Sequence, residues 1–266
     1  MRTDTSHSHR EHFLIDVGHT RSKFAKCQFL EGRSRPEFLE RESVLKSDSI
    51  PWDTFGSWFS SSAHFVPSIL ATDQQRLQNL LQQWPGDWPQ PQVLKDKQTL
   101  PLKIDVDYPE KVGMDRLLNA IAANRIRHPS QPAINVCSGT AVTVDVVDHH
   151  GVFRGGAILP GILMTSQSMR DQTTTLPLID PWELLKVEPD VLGRNTEAAI
   201  ASGVYWGHLG AVRELIARFK DLLRGEGRDP VVYVTGGAAR ILTPYLGNVC
   251  HEPTLTLEGL AYVATK

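Results

Sequence analysis

Apolar residues along this chain gather in short runs broken by polar turns. Phe13, Leu14, Ile15 and Val17 lead into the turn Gly18-His19-Thr20, and "SKFAKCQF" returns from it. This predicts strand, turn, strand. The leucines of "QQRLQNLLQQW" (74–84) fall at helical spacing. "WPGDWPQPQ" (84–92) reads as a loop by its prolines, at the surface by default. Leu117, Leu118, Ile121, Ala122 and Ile126 make one apolar face over residues 114–128 and predict a helix. "NVCSGTAVTVDVV" (135–147) is a second strand-turn-strand, bent at Ser138-Gly139-Thr140. "GVFRGGAILPG" adds a strand ending on Gly155-Gly156, and "ILMTSQSMRDQ" a helix. Residues 196–225 form a long helical pattern with Thr196 as N-cap and Gly225 as stop. "PVVYVTGGAA" is an apolar strand running into Gly236-Gly237, and "LTLEGLAYVA" closes as a helix. Trp182, Tyr205 and Trp206 read as packing residues, and "DHHG" as an exposed hairpin turn.

The two glycine-bearing hairpins occupy opposite halves of the chain, each followed by further strand and helix. A duplicated α/β architecture is the economical reading. It divides the chain into a disordered tail (1–11), a first domain (12–128) and a second (129–266).

Composition narrows the classes. The 266 residues are 41% hydrophobic and 22% charged, with formal net charge -2. That is the balance of a globular chain with a real core. It lacks the general positive charge that draws nucleic acid or anionic membrane, so neither is an expected partner. No run reaches membrane-spanning length, and "MRTDTSHSHREH" lacks the apolar centre of a signal peptide. Cys27, Cys137 and Cys250 are far apart and form no CxxC pair. A cytoplasmic location is expected.

A tight turn aligns consecutive backbone N–H groups. Glycine allows close approach, and Thr or Ser adds a hydroxyl, so such a turn suits phosphate. An ordinary hairpin held by Ser/Thr–backbone bonds gives the same pattern. Asp16, beside the first turn, has the chemistry to hold a hydrated Mg²⁺. Asp115, in "VGMDR", reads either as a first-turn acid favoured by the helix dipole or as a general base, with Arg116 binding an acidic group. "VTGG" (234–237) lets a ligand pack on backbone, or serves as a helix entry loop. No GxxxxGK[ST], strand-linked GxGxxG, HExxH or GxSxG is present.

Taken in order, "DVGHT", "PEKVGMDR", "SGTAVTVD", "GGAILPG", "TTTLP", "GRNTEAAIASG", "VTGG" and "PTLTLEGL" resemble the type III pantothenate kinases from Phe13 to Val263. The resemblance implies an α/β fold of two ribonuclease-H-like, actin-like ATPase domains facing a central cleft, usually as a homodimer. It implies ATP-dependent phosphorylation of pantothenate to 4′-phosphopantothenate, the first step towards coenzyme A, assisted by Mg²⁺ and a monovalent cation such as K⁺ or NH₄⁺. Asp16, Gly18, His19 and Thr20 then belong to the first phosphate loop, with Lys23 on its returning strand. Ser138, Gly139 and Thr140 belong to the second, and Gly236 and Gly237 lie near the nucleoside. Asp115 is the implied base. Gly113, Arg116 and Tyr108 fall at the substrate, and Thr196 reaches the pocket across the dimer.

Three positions depart from the family pattern. His19 replaces an Asn in the first loop. Val106 stands where a pocket Tyr is usual, with Tyr108 nearby in another register. Cys137 stands where an Asp usually precedes the second loop, and a thiol is a poor ligand for K⁺ or Mg²⁺. The alternative these departures raise is a weakened homologue acting as a ligand-binding or transcription accessory protein. A sugar-like substrate on the same fold is a third reading.

Overall fold

The computed structural model describes residues 11–59, 65–225 and 227–264. By internal contacts the chain divides into two units. The first comprises residues 1–101, 110–126 and 256–266; the second comprises 102–109 and 127–255. The expected tail over 1–10 lies outside the described residues. Residue 11 is a correction: Glu11 already belongs to the first strand, facing Gln28, with its carboxylate 2.7 Å from Lys26 Nζ.

The first unit opens with β1 (Glu11–Val17), β2 (Arg21–Gln28) and β3 (Glu37–Leu45). Then come α1 (Trp52–Ser57), β4 (Phe65–Ala71), α2 (Gln74–Gln82), β5 (Gln92–Val93) and α3 (Met114–Ile126). The sheet order is β3-β2-β1-β4-β5, antiparallel from β1 to β3 and parallel from β1 through β4 to β5. Phe13, Ile15 and Val17 alternate onto one face, where with Phe24 they meet Phe55, Leu77 and Leu80. The "WPGDWPQPQ" segment is the expected surface loop up to Gln92, which opens β5, but it is tied down at two points. Trp84 and Trp88 pack on this core, with the Trp88 ring edge-on to Phe13 at 5.7 Å. Partial burial of the two indoles offsets part of the cost of ordering a proline-rich connection.

The second unit has β6 (Ala133–Ser138), β7 (Ala141–Val147), β8 (Phe153–Pro160), α4 (Ile162–Asp171), α5 (Pro181–Leu184), α6 (Thr196–Leu222), β9 (Val231–Thr235), α7 (Ala239–Leu242) and β10 (Cys250–His251). Its sheet order is β10-β9-β6-β7-β8, again with three antiparallel strands followed by parallel additions. Counted from its own first strand, each unit runs 3-2-1-4-5. The duplicated ribonuclease-H-like arrangement is therefore present in the strand pairing itself. Ile134, Val136, Val142, Val144, Val232 and Val234 form the apolar layer under α6, which contributes Ile200, Val204, Leu209, Val212 and Ile216. The last helix, α8 (Leu255–Ala264), belongs from Thr256 onward to the first unit. There Glu258, 2% exposed, takes a two-pronged hydrogen bond from Arg35 at 3.1 and 2.7 Å.

Two local expectations are corrected. β8 does not end on Gly155-Gly156 but runs to Pro160, because the ladder with β7 continues past the glycines from Val144↔Ala157 to Ala141↔Pro160. The N-cap of α6 is Asn195, not Thr196: the Asn195 side chain accepts the Ala198 N–H at 2.8 Å, and Thr196 is the first helical residue. That helix also stops at Leu222, short of Gly225.

Candidate active site

In the first unit the turn Gly18-His19-Thr20 closes β1 onto β2, with Gly18 N–H donating to Arg21 O at 3.1 Å. Asp16 is the penultimate residue of β1 and lies opposite Lys23 in the ladder, Oδ2 to Nζ 3.6 Å. Burial pushes the Asp16 carboxyl above the usual carboxylate range; Lys23 opposes this, and the charge of Asp115 adds to it. Asp115 sits in the first turn of α3, where the exposed N–H groups of a helix start favour an acid. Leu117 N–H donates to the Gly113 carbonyl at 3.3 Å, and Asp115 and Arg116 are both half-buried. Thus Asp16, Lys23 and Asp115 are brought into one electrostatic neighbourhood.

Two side chains that the sequence reading missed frame this loop. Arg76 Nη1 donates to Gly18 O at 3.1 Å, and its Nη2 donates to Val44 O at 3.0 Å. Asp73 caps α2 by accepting Arg76 N–H at 3.0 Å. The same carboxylate has its other oxygen 3.4 Å from Lys46 Nζ and 3.7 Å from His19 Nδ1. These partners, led by the Arg76 N–H, hold Asp73 below the usual carboxylate range. The signal available in sequence was "TDQQR", an N-cap acid at a helix start, with nothing in it pointing to the loop.

In the second unit, Ser138 ends β6 fully buried, and Gly139-Thr140 form the bend. Gly139 N–H donates to Ala141 O at 3.0 Å, and Gly161 N–H to Thr140 O at 3.1 Å. A Cβ on Gly161 would stand 2.4 Å from Gly139 O and 2.5 Å from Thr140 O, so only glycine fits. The "VTGG" turn comes to the same place. Ala238 N–H donates to Ser138 O at 3.0 Å, and Gly236, at φ 95°, would put a Cβ 2.3 Å from that oxygen. Gly237 follows with open space around its α-carbon. The expected second loop and the expected nucleoside turn are therefore joined by direct backbone contact.

Four further positions belong to this unit. Thr196 lines a cavity of about 520 Å³ together with Met169, Leu176, Arg194 and Ile200. Tyr108 is 60% exposed. Val106 lies along β8, its Cγ1 within 3.4 Å of the Cβ position of Gly155. Cys137 is half-buried, beside Thr143 and Thr235 in the sheet.

Among the described residues no three His, Cys, Asp or Glu side chains cluster as a metal site. Mg²⁺ needs few protein ligands where phosphate and water supply the rest, and the Asp16 carboxylate fits that role. A hard monovalent cation does not fit the Cys137 thiol. No helix among the described residues is long and apolar enough to cross a membrane.

The sequence profile of the type III pantothenate kinases matches residues 12–218. A type III pantothenate kinase of Rubrobacter xylanophilus is 42% identical over 161 residues, spanning 58% of this chain and 58% of that protein. One from Zymomonas mobilis is 38% identical over 161 residues, 60% of this chain and 56% of that protein. The matched stretch thus spans less than two thirds of the length of these relatives. Among solved structures, a conserved putative Baf family transcriptional activator from Campylobacter jejuni is similar in fold. It superposes with TM-score 0.56 at 18% identity, covering 95% of this chain and 97% of that one.

Proposed function

The chain belongs to the type III pantothenate kinase family, and from that premise we propose that it phosphorylates pantothenate to 4′-phosphopantothenate at the expense of ATP, as the first step towards coenzyme A. The observation that carries the proposal is the neighbourhood of Asp16, Lys23 and Asp115, in which the charge of Asp115 is felt at Asp16 beside the first phosphate loop.

Phosphoryl transfer asks a protein mainly for positioning and charge stabilisation. The turns Gly18-His19-Thr20 and Ser138-Gly139-Thr140 bind phosphate oxygens of ATP through His19, Thr20 and Thr140, since the Gly18 and Gly139 N–H groups serve the Arg21 and Ala141 carbonyls and the buried Ser138 hydroxyl serves His208, and Gly236-Gly237 receive the nucleoside. Lys23 adds positive charge at the first loop. Asp115 accepts the proton of the pantothenate hydroxyl as its oxygen attacks the γ-phosphorus and the bond to the β-phosphate oxygen breaks, releasing ADP, while Arg116 holds the pantothenate carboxylate beside Gly113. Asp16 would hold Mg²⁺, which when bound neutralises phosphate charge. K⁺ or NH₄⁺ assistance is not carried by Cys137. The chain acts in the cytoplasm as a homodimer, with Thr196 serving the neighbouring copy's pocket; the family resemblance of "GRNTEAAIASG" supports this.

The test is ATP-dependent phosphorylation of pantothenate by the purified protein, with and without K⁺. Turnover is expected, with Asp115→Asn lowering kcat by about 10²-fold or more. A folded protein without turnover under any cation would sink the kinase reading. Phosphorylation of a sugar in place of pantothenate would redirect it.

A further inference from the structure

Ser138 is the last residue of β6, and strand alternation puts it on the same face as Ile134 and Val136, under α6. Along α6 the neighbours Val204, Leu209 and Val212 are buried in that apolar layer, and between them lies His208, 7% exposed. Its Nε2 stands 3.2 Å from Ser138 Oγ. A polar pair inside an apolar layer costs desolvation that a leucine and a valine would avoid. Burial also pushes the imidazole down to about 4, so it is neutral at physiological pH, with one N–H and one lone pair for the hydroxyl.

The geometry points to His208 as a positioning residue for the second phosphate loop, acting through the Ser138 hydroxyl. The inference rests on the reading of Ser138-Gly139-Thr140 as a phosphate loop.

Ser138 is held from two sides. Its carbonyl accepts the Ala238 N–H at 3.0 Å, from the turn after β9, and its hydroxyl meets His208 on α6. Gly139 and Thr140 follow directly, so the orientation of Ser138 sets where the bend they form is placed. Removing the imidazole frees the hydroxyl to turn towards other acceptors, and Ser138 keeps only the Ala238 contact of the two that reach it from other elements. Preorganised donors are what such a loop contributes, so the loss falls on ATP rather than on the phosphoryl acceptor.

The test uses the full chain with four variants: His208→Phe, His208→Gln, Ser138→Ala and the double variant His208→Phe/Ser138→Ala. Binding of a non-hydrolysable ATP analogue is measured by calorimetry, and KM for ATP and for pantothenate by steady-state kinetics. His208→Phe and Ser138→Ala should each weaken analogue binding and raise KM for ATP about tenfold, with KM for pantothenate changing by no more than about twofold. The double variant should be no worse than either single one, because both remove the same contact. His208→Gln should stay within about threefold of wild type, since its amide can still reach the hydroxyl.

Analogue binding by Ser138→Ala within about twofold of wild type would overturn the inference, even where His208→Phe fails to fold. So would additive losses, or equal rises in both KM values without rescue by Gln, which mark a purely structural role. If the wild type binds the analogue without phosphorylating pantothenate, the proposed function falls and the inference is decided by the binding constants alone. If it does not bind the analogue, both fall.

Discussion

Lys23 Nζ lies 3.6 Å from Asp16 Oδ2, directly across the β1–β2 ladder. This contact opposes the burial that raises the Asp16 carboxyl. Lys23→Met removes the cation that favours the charged form, so the Asp16 pKa should rise further. If ionised Asp16 is needed for metal-assisted transfer, the acid limb of the pH–rate profile moves to higher pH, and Lys23→Arg moves it back. An unchanged limb in Lys23→Met would show that this pair does not set the ionisation that matters.

Arg76 joins the carbonyls of Gly18 and Val44, residues far apart in the chain. Arg76→Ala should cost about 1.5–3 kcal/mol of stability, the range for hydrogen bonds to a charged group. It should also weaken ATP binding, because the first loop loses its brace. Arg76→Lys should recover little, since a point charge cannot span both carbonyls as the planar guanidinium does. Urea midpoints and nucleotide titration of both variants check this.

Gly161 has no room for a side chain against Gly139 and Thr140. In Gly161→Ala the second loop must shift by a sizeable fraction of an ångström. Phosphoryl transfer should fall at least about tenfold, because the chemistry depends on placement. The far-ultraviolet circular dichroism should be kept. Full activity in this variant would show that the loop tolerates displacement.

His208 gives a pH-dependent stability with a definite sign. Its folded value of about 4 lies below the ordinary 6.5. Between those values the unfolded chain takes up a proton that the folded chain refuses. Stability is therefore full above 6.5 and falls as pH drops, by roughly 2 kcal/mol between pH 6.5 and 5. Denaturant midpoints at pH 7 and pH 5 should differ less in His208→Gln than in wild type. Equal pH sensitivity in both would remove His208 as the cause.

Where the pattern was strong, sequence and structure agree. The leucines of α2, the helix α3 and the two glycine hairpins rest on local spacing, although α3 is buried without a break from Leu117 to Ala123 rather than along one face and ends at Ile126, short of 128. β3 and β4 gave no such signal. β3 is an edge strand whose middle residues are exposed, so it has no buried alternation to read. β4 carries Pro67, which argues against a strand; it is tolerated because β5 pairs only with Ser68 and Ile69. At the site, the Gly and Thr positions of the loops were legible because a tight turn restricts residue type at once. Asp73, Arg76 and His208 were not, because an N-cap acid, a helix arginine and a buried histidine each have common structural uses.

The sequence by itself determined that there are two hairpins, two glycine turns and the helices that follow them, because these depend on φ/ψ freedom and on periodicity within a few residues. Only the tertiary structure decided that residues 102–109 join the second unit and 256–266 the first. It also decided that Arg76 reaches Gly18 across 58 positions and His208 reaches Ser138 across 70. Such contacts are set by which strands pair across a crossover and by what a buried polar group finds within hydrogen-bond reach. Neither leaves a local pattern, so the loops were readable in the chain and the side chains that hold them were not.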